Sequence, residues 1–187
     1  KKSSEYFSKN KSNINSIHDD LYNDLSFEKV SIISEEIIKQ FTDKKYDKVE
    51  VARRAIGLGM HVLAHDKFNQ EANITLNFFN GEKKSFTIET DSMKKVLENS
   101  DFITLHVPKD GDNPVIGAEE IGMMKTGAGI INTARGGIID ETALMFSLDK
   151  GKLAYAGLDV FENEPKPSTH LLMHNAISLT PHIGAAT

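Results

Sequence analysis

Four residues in the C-terminal half of this 187-residue chain have types and settings that suit joint chemistry: Arg135, Asp159, Glu164 and His182. Arg135 closes the stretch Gly129-Ile130-Ile131-Asn132-Thr133-Ala134-Arg135 and precedes Gly136-Gly137. A guanidinium in that place can grip a carboxylate with two parallel charge-assisted bonds. A solvated arginine in an ordinary strand-to-helix turn has the same sequence. The glycine pair lets the backbone turn sharply and come close to a ligand. An imidazole such as that of His182 can pass a proton near neutral pH. Glu164 is a candidate to pair with it and favour its protonated form. His61, His65, His106, His170 and His174 read as packing or surface residues, and their spacing does not suggest a metal site.

These side chains need elements that bring them together. Short apolar runs predict strands at Met60–Ala64, Phe102–Val107, Gly129–Asn132, Leu153–Leu158 and Ala176–Leu179. Helical patterns fall between them, at Val51–Ile56, Ser92–Asn99, Glu119–Lys125 and Asp140–Lys150. Alternating strands and helices imply parallel β-α units and a three-layer sheet. Two alternating runs at 73–80 and 82–90, around Asn80-Gly81, predict a hairpin inserted on that core. Each charged candidate then lies at or just beyond a strand end, and such ends share one edge of a parallel sheet. Asp66 joins the set at the end of the Met60 strand. An acid there accepts hydrogen bonds from the ribose hydroxyls of NAD and repels the extra phosphate of NADP; alternatively it caps a turn.

The formal net charge is -5 with no basic block, so nothing points to nucleic acid. There is no cysteine, which removes thiolate chemistry and disulfides and fits a cytoplasmic protein. No apolar run approaches the ~20 residues of a membrane span, and residues 1–5 lead into no signal-peptide core. All 13 glycines lie at or after Gly57, and all five prolines at or after Pro108. The first 50 residues are rich instead in Lys, Ser, Asn, Asp and Ile, which places a seam near Glu50-Val51. Phe27, Val30, Ile33, Ile37 and Phe41 recur at helical spacing, so an amphipathic helix is expected over residues 26–41. Asp47 to Val51 reads either as a short strand or as the start of the next helix.

Residues 51–187 resemble the NAD-binding domain of the D-2-hydroxyacid dehydrogenase family, and within it the D-3-phosphoglycerate dehydrogenases. The motifs are VARRAIGLGMHVLAHD (51–66), DFITLHVP (101–108), GIINTARGGIIDE (129–141), AGLDVFENEP (156–165) and LTPHIGAAT (179–187). The resemblance implies reversible hydride transfer between a 2-hydroxy acid, such as 3-phosphoglycerate, and NAD. It implies that Arg135 orients substrate and that Glu164 and His182 are the acid-base pair. It places Asp66 at the adenosine ribose, His106, Val107 and Pro108 on the adenine side, and Thr133, Ala134 and Arg135 near the nicotinamide. Asp159 is expected at the nicotinamide amide, with His182 and Gly184 beside the cofactor. Dimers or larger homo-oligomers are implied as well.

The family places a strand and a G-x-G-x-x-G loop before the helix that begins here at Val51, and this chain has no glycine before Gly57. Gly57-Leu58-Gly59 follows the helix, so it cannot present that helix's N-terminus to a pyrophosphate. Expected, therefore, is an α/β fold with an incomplete Rossmann-like parallel sheet, helices on both faces, a β-hairpin insertion and a helical N-terminal segment. Val49–Val51 or Val30–Ile33 are the stretches apolar enough to replace the strand. Residues 1–50 resemble, more weakly, the peripheral domain of a rotary ATP synthase gamma subunit, in KKSSEYFSKN (1–10) and SEEIIKQFTDKKYDKVE (34–50). That resemblance implies a chimera. The missing Gly loop implies weak or no NAD binding by this chain alone, and it supports a second reading: a non-catalytic chimeric or interaction protein carrying an inactive dehydrogenase remnant.

Overall fold

The computed structural model describes the backbone of residues 29–34, and backbone and side chains of residues 48–109 and 111–184. The elements in chain order are β1 (Lys29–Ser34), α1 (Lys48–Gly57), β2 (His61–Asp66), β3 (Glu71–Asn77), β4 (Lys83–Glu89) and α2 (Met93–Asn99). They continue with β5 (Phe102–His106), α3 (Ala118–Met123), β6 (Ala128–Asn132), α4 (Glu141–Asp149), β7 (Leu153–Leu158), α5 (Thr169–Leu172) and β8 (Ile177–Leu179). Six strands form one parallel sheet in the order β2-β1-β5-β6-β7-β8, and β3 and β4 pair as a separate antiparallel hairpin. This is the expected α/β, Rossmann-like sheet flanked by helices.

The sheet is not missing its central strand. β1 lies between β2 and β5, with Val30 opposite both Val62 and Phe102, and Ser34 opposite both Asp66 and His106. The helix expected over 26–41 therefore gives way to a strand over Lys29–Ser34. The local sequence, Lys-Val-Ser-Ile-Ile-Ser, carries three β-branched aliphatics, whose restricted χ1 suits a pleated sheet. Its spacing also satisfied a helical pattern, and the vacant place between β2 and β5 decided the outcome. The rest of 26–41, and most of the gamma-subunit-like stretches, lie outside the described residues. Val49–Val51 joins α1, where Glu50 bonds Arg53 and Arg54 one turn on.

The chain runs from β1 outward to β2, then crosses to β5 on the other side of β1. Open α/β sheets bind ligands in the crevice at the carboxyl ends of strands where the order reverses. That point here is the edge formed by Ser34 and His106.

Leu97 of α2, Ile103 and Leu105 of β5, Ile130 of β6 and Leu144 of α4 are at most 1 % exposed and belong to the main core. Burying one such side chain stabilises by roughly 1.5–3 kcal/mol. β6 carries a glycine at Gly129 because the ring of Tyr155 from β7 lies across it, reaching Phe102 at a centroid distance of 5.4 Å. A smaller cluster joins Ala52 of α1 to Ile74, Val62 and Ile88, and Arg53 Nε donates to Thr75 O at 2.9 Å. It seats the hairpin on α1. Ile74 faces Phe86 across the hairpin, and Gly81 takes φ +85° in its turn. Among the described residues no helix is long and apolar enough to cross a membrane, and no cluster of His, Asp and Glu could hold a metal ion.

Candidate active site

Arg135 stands on a loop built by the strand before it. β6 ends at Asn132, which is 2 % exposed. The Asn132 side-chain oxygen accepts from Ala134 N at 3.0 Å, and its Nδ2 donates to Arg135 O at 2.9 Å. One side-chain amide thus closes the turn, as short polar side chains do when they replace a backbone partner. Arg135 is left exposed, with Nη1 donating to Ala134 O at 2.6 Å. Thr133 is exposed and Ala134 half-buried. The two glycines have different reasons. Gly137 takes φ +75°. A Cβ on Gly136 would overlap the Phe161 carbonyl oxygen. The expected close approach at Gly136 is to the chain's own backbone, two elements away.

Asp159 follows β7 and is 4 % exposed. Its backbone N–H donates to Asn132 O at 3.0 Å, which ties the ends of β6 and β7. Its Oδ1 accepts from Thr180 Oγ1 at 2.5 Å and Ile183 N at 2.9 Å, and its Oδ2 from Gly184 N at 2.8 Å. Burial pushes the Asp159 carboxyl up. The bonds from Thr180, Gly184 and Ile183, with His182 nearby, outweigh that and hold it below its ordinary value of 3.8. Asp159 therefore grips the segment on both sides of His182.

His182 follows β8 through Thr180-Pro181 and adopts φ 56°, which is uncommon for a residue with a Cβ. Its Nδ1 lies 2.8 Å from Glu164 Oε2. The other carboxylate oxygen of Glu164 accepts from Phe161 N at 3.0 Å. The bond to His182 lowers the Glu164 pKa from its ordinary value, helped by the Phe161 N–H. The loop carrying Glu164 is pinned to α4 by a reciprocal pair: Glu141 N donates to the Glu162 carboxylate, and Glu162 N to the Glu141 carboxylate. Phe161, Glu164, Pro165, Thr180, Pro181 and His182 line a recess of about 480 Å3, within the range of small-ligand sites. Arg135 is not part of its wall.

The remaining residues lie toward the other side of the sheet. His106 ends β5, with Nε2 3.1 Å from Thr104 Oγ1. Val107 is 2 % exposed and packs into the core, so its side chain is turned inward. Pro108 is half-buried. Asp66 ends β2, four strand spacings from β7, roughly 19 Å along the edge. Only an extended ligand could touch both ends. Asp66 also caps the turn that follows, accepting from Phe68 N and Asn69 N. Sequence reasoning missed Asn132 and Thr180, which shape the site, and Lys48, whose Nζ lies 2.7 Å from Asp66 Oδ2. A polar residue at the buried end of a strand was the one legible sign for Asn132.

A protein-family model described as D-isomer specific 2-hydroxyacid dehydrogenase, NAD binding domain, matches residues 49–184. The D-3-phosphoglycerate dehydrogenase 3, chloroplastic, of Arabidopsis thaliana is 40 % identical over 140 residues, 74 % of this chain and 22 % of that protein. The hydroxypyruvate reductase of Thermotoga maritima is 41 % identical over 142 residues, 74 % of this chain and 42 % of that protein. Among solved structures, a glyoxylate reductase from Paecilomyes thermophila matches with a TM-score of 0.66 at 34 % identity, covering 86 % of this chain and 43 % of its own. The chain thus spans less than half the length of these relatives.

Proposed function

Because the chain belongs to the D-isomer specific 2-hydroxyacid dehydrogenase family, whose members are NAD-dependent oxidoreductases, we propose that it carries the cofactor-binding and acid-base half of such an enzyme, acting in the cytoplasm. The substrate proposed is a D-2-hydroxy acid, with 3-phosphoglycerate first among candidates and serine biosynthesis its setting. Relatives named for phosphoglycerate oxidation support that choice. Others named hydroxypyruvate and glyoxylate reductases make those 2-oxo acids the next to test.

The observation that carries this reading is the His182–Glu164 pair at 2.8 Å, on a loop gripped by Asp159. Glu164, ionised and bonded to Nδ1, leaves Nε2 of His182 to take the proton of the substrate hydroxyl and stabilises the imidazolium that results. Arg135, exposed at the end of β6, is suited to hold the substrate carboxylate. NAD, when bound, supplies the acceptor for the hydride leaving C2, and a 2-oxo acid results. Thr133 and Ala134 would flank its nicotinamide half, with Asp159 and Gly184 behind. Both oxygens of Asp159 are already engaged, so its proposed part is chiefly to fix His182. His106 to Pro108 would lie beside the adenine.

The fit is better at this end than at the other. Residues 35–47, between β1 and α1, contain no glycine. That favours a second reading, a non-catalytic interaction protein whose leader was joined to a dehydrogenase remnant near Glu50-Val51. On either reading we place the dehydrogenase-like part from Val51, within α1, onward, with β1 contributed by the segment of residues 1–50 before it. NADH formation from 3-phosphoglycerate and NAD by the full chain separates the two. Within a complete enzyme of this family, replacing the histidine that corresponds to His182 by Ala is expected to cut turnover about a hundred- to ten-thousand-fold and to leave NAD affinity unchanged. Equal loss of both would remove the acid-base assignment.

A further inference from the structure

The carboxylate of Asp66 is fully engaged by the chain itself. Lys48 Nζ lies 2.7 Å from Oδ2, and the Asp66 side chain is only 4 % exposed. Oδ1 accepts from Phe68 N at 2.9 Å, Asn69 N at 3.0 Å and Asn69 Nδ2 at 3.2 Å. Lys48 is the first residue of α1, the helix that follows the glycine-free stretch 35–47. It reaches across to the end of β2, and the pair forms part of the wall of a recess of about 210 Å3 that also includes Asn69 and Thr90.

An unpaired carboxylate at this strand end does two things at once: it accepts bonds from a ribose diol, and it repels a phosphate on the same ribose. A carboxylate paired with an ammonium does neither well. The ammonium occupies one acceptor oxygen and cancels the charge, and as a compact cation it attracts phosphate. We propose that Lys48 is a selectivity residue of this face, which weakens its grip on NAD and removes its discrimination against NADP. This rests on the reading of Asp66 as the residue met by the adenosine ribose.

Calorimetric titration of the full chain with NAD and with NADP, for the wild type and Lys48→Met, tests it. Methionine keeps the apolar stem and removes the charge. The wild type is expected to bind the two nucleotides within about threefold of each other, and Lys48→Met to prefer NAD by about tenfold or more, through tighter NAD binding. Adding Asp66→Asn to Lys48→Met removes the carboxylate and is expected to bring the ratio back to about one. If the wild type already prefers NAD and Lys48→Met leaves the ratio unchanged, the role given to Lys48 is wrong while the cofactor-binding reading stands. If neither protein binds either nucleotide, both fall together.

Discussion

Asp159 shows how a single carboxylate can hold a reactive group in place without touching it. Its two oxygens accept from Thr180, Ile183 and Gly184, residues that bracket His182. Its pKa is lowered below the ordinary 3.8, so the stabilisation is present above that value and is lost as pH falls through the lower folded value. Asp159→Asn puts an amide where Gly184 N–H or Ile183 N–H needs an acceptor, and is expected to cost about 1–3 kcal/mol at neutral pH. The check is the urea midpoint followed from about pH 6 to pH 2: the wild type should lose stability steeply below about pH 4, and the variant less so. Little of this arrangement was legible in the sequence. Asp159, Glu164 and His182 stood out because each falls at or just past an apolar run. That Thr180 and Asp159 meet depends on β7 and β8 being neighbours, which no local pattern states.

Loops between elements set the site, and at Gly136 two of them pass in close contact. The carbonyl of Phe161, in the loop that carries Glu164, occupies the space a Cβ would need. Gly136→Ala must push that loop away, disturbing the Phe161 N–H to Glu164 bond and with it the His182 pair. An overpacked contact of this kind typically costs about 1–3 kcal/mol. The expected outcome is a lower melting temperature together with a shifted His182 imidazole signal by NMR; an unchanged signal would mean that the two loops move independently. Strands and helices of the C-terminal two thirds were readable because their apolar runs are short and bounded by Gly, Pro or charged residues. The hairpin was readable from Asn80-Gly81 between alternating runs. Lys29–Ser34 was readable only as one of two stretches apolar enough to supply the strand, because Val30 and Ile33 fit a 3.6-residue repeat equally well, and the deciding information lies in β2 and β5, some 30 and 70 residues further on.

β1 lies between two groups of elements: α1, β2 and the hairpin around the smaller apolar cluster, and β5 to β8 around the larger one, against which Leu63 of β2 also packs. It touches each through a full parallel ladder. A piece of chain that comes from before the family-like region, and is linked to α1 by a 13-residue connection, is a detachable part. The consequence is complementation in trans. A chain starting at Lys48 would expose the facing edges of β2 and β5, and such open edges invite pairing with other strands. A synthetic peptide spanning residues 26–37 is expected to fill that slot by strand addition, restoring a cooperative unfolding transition to the truncated chain. The same peptide with Ile32→Pro, which lacks a ladder N–H, should fail.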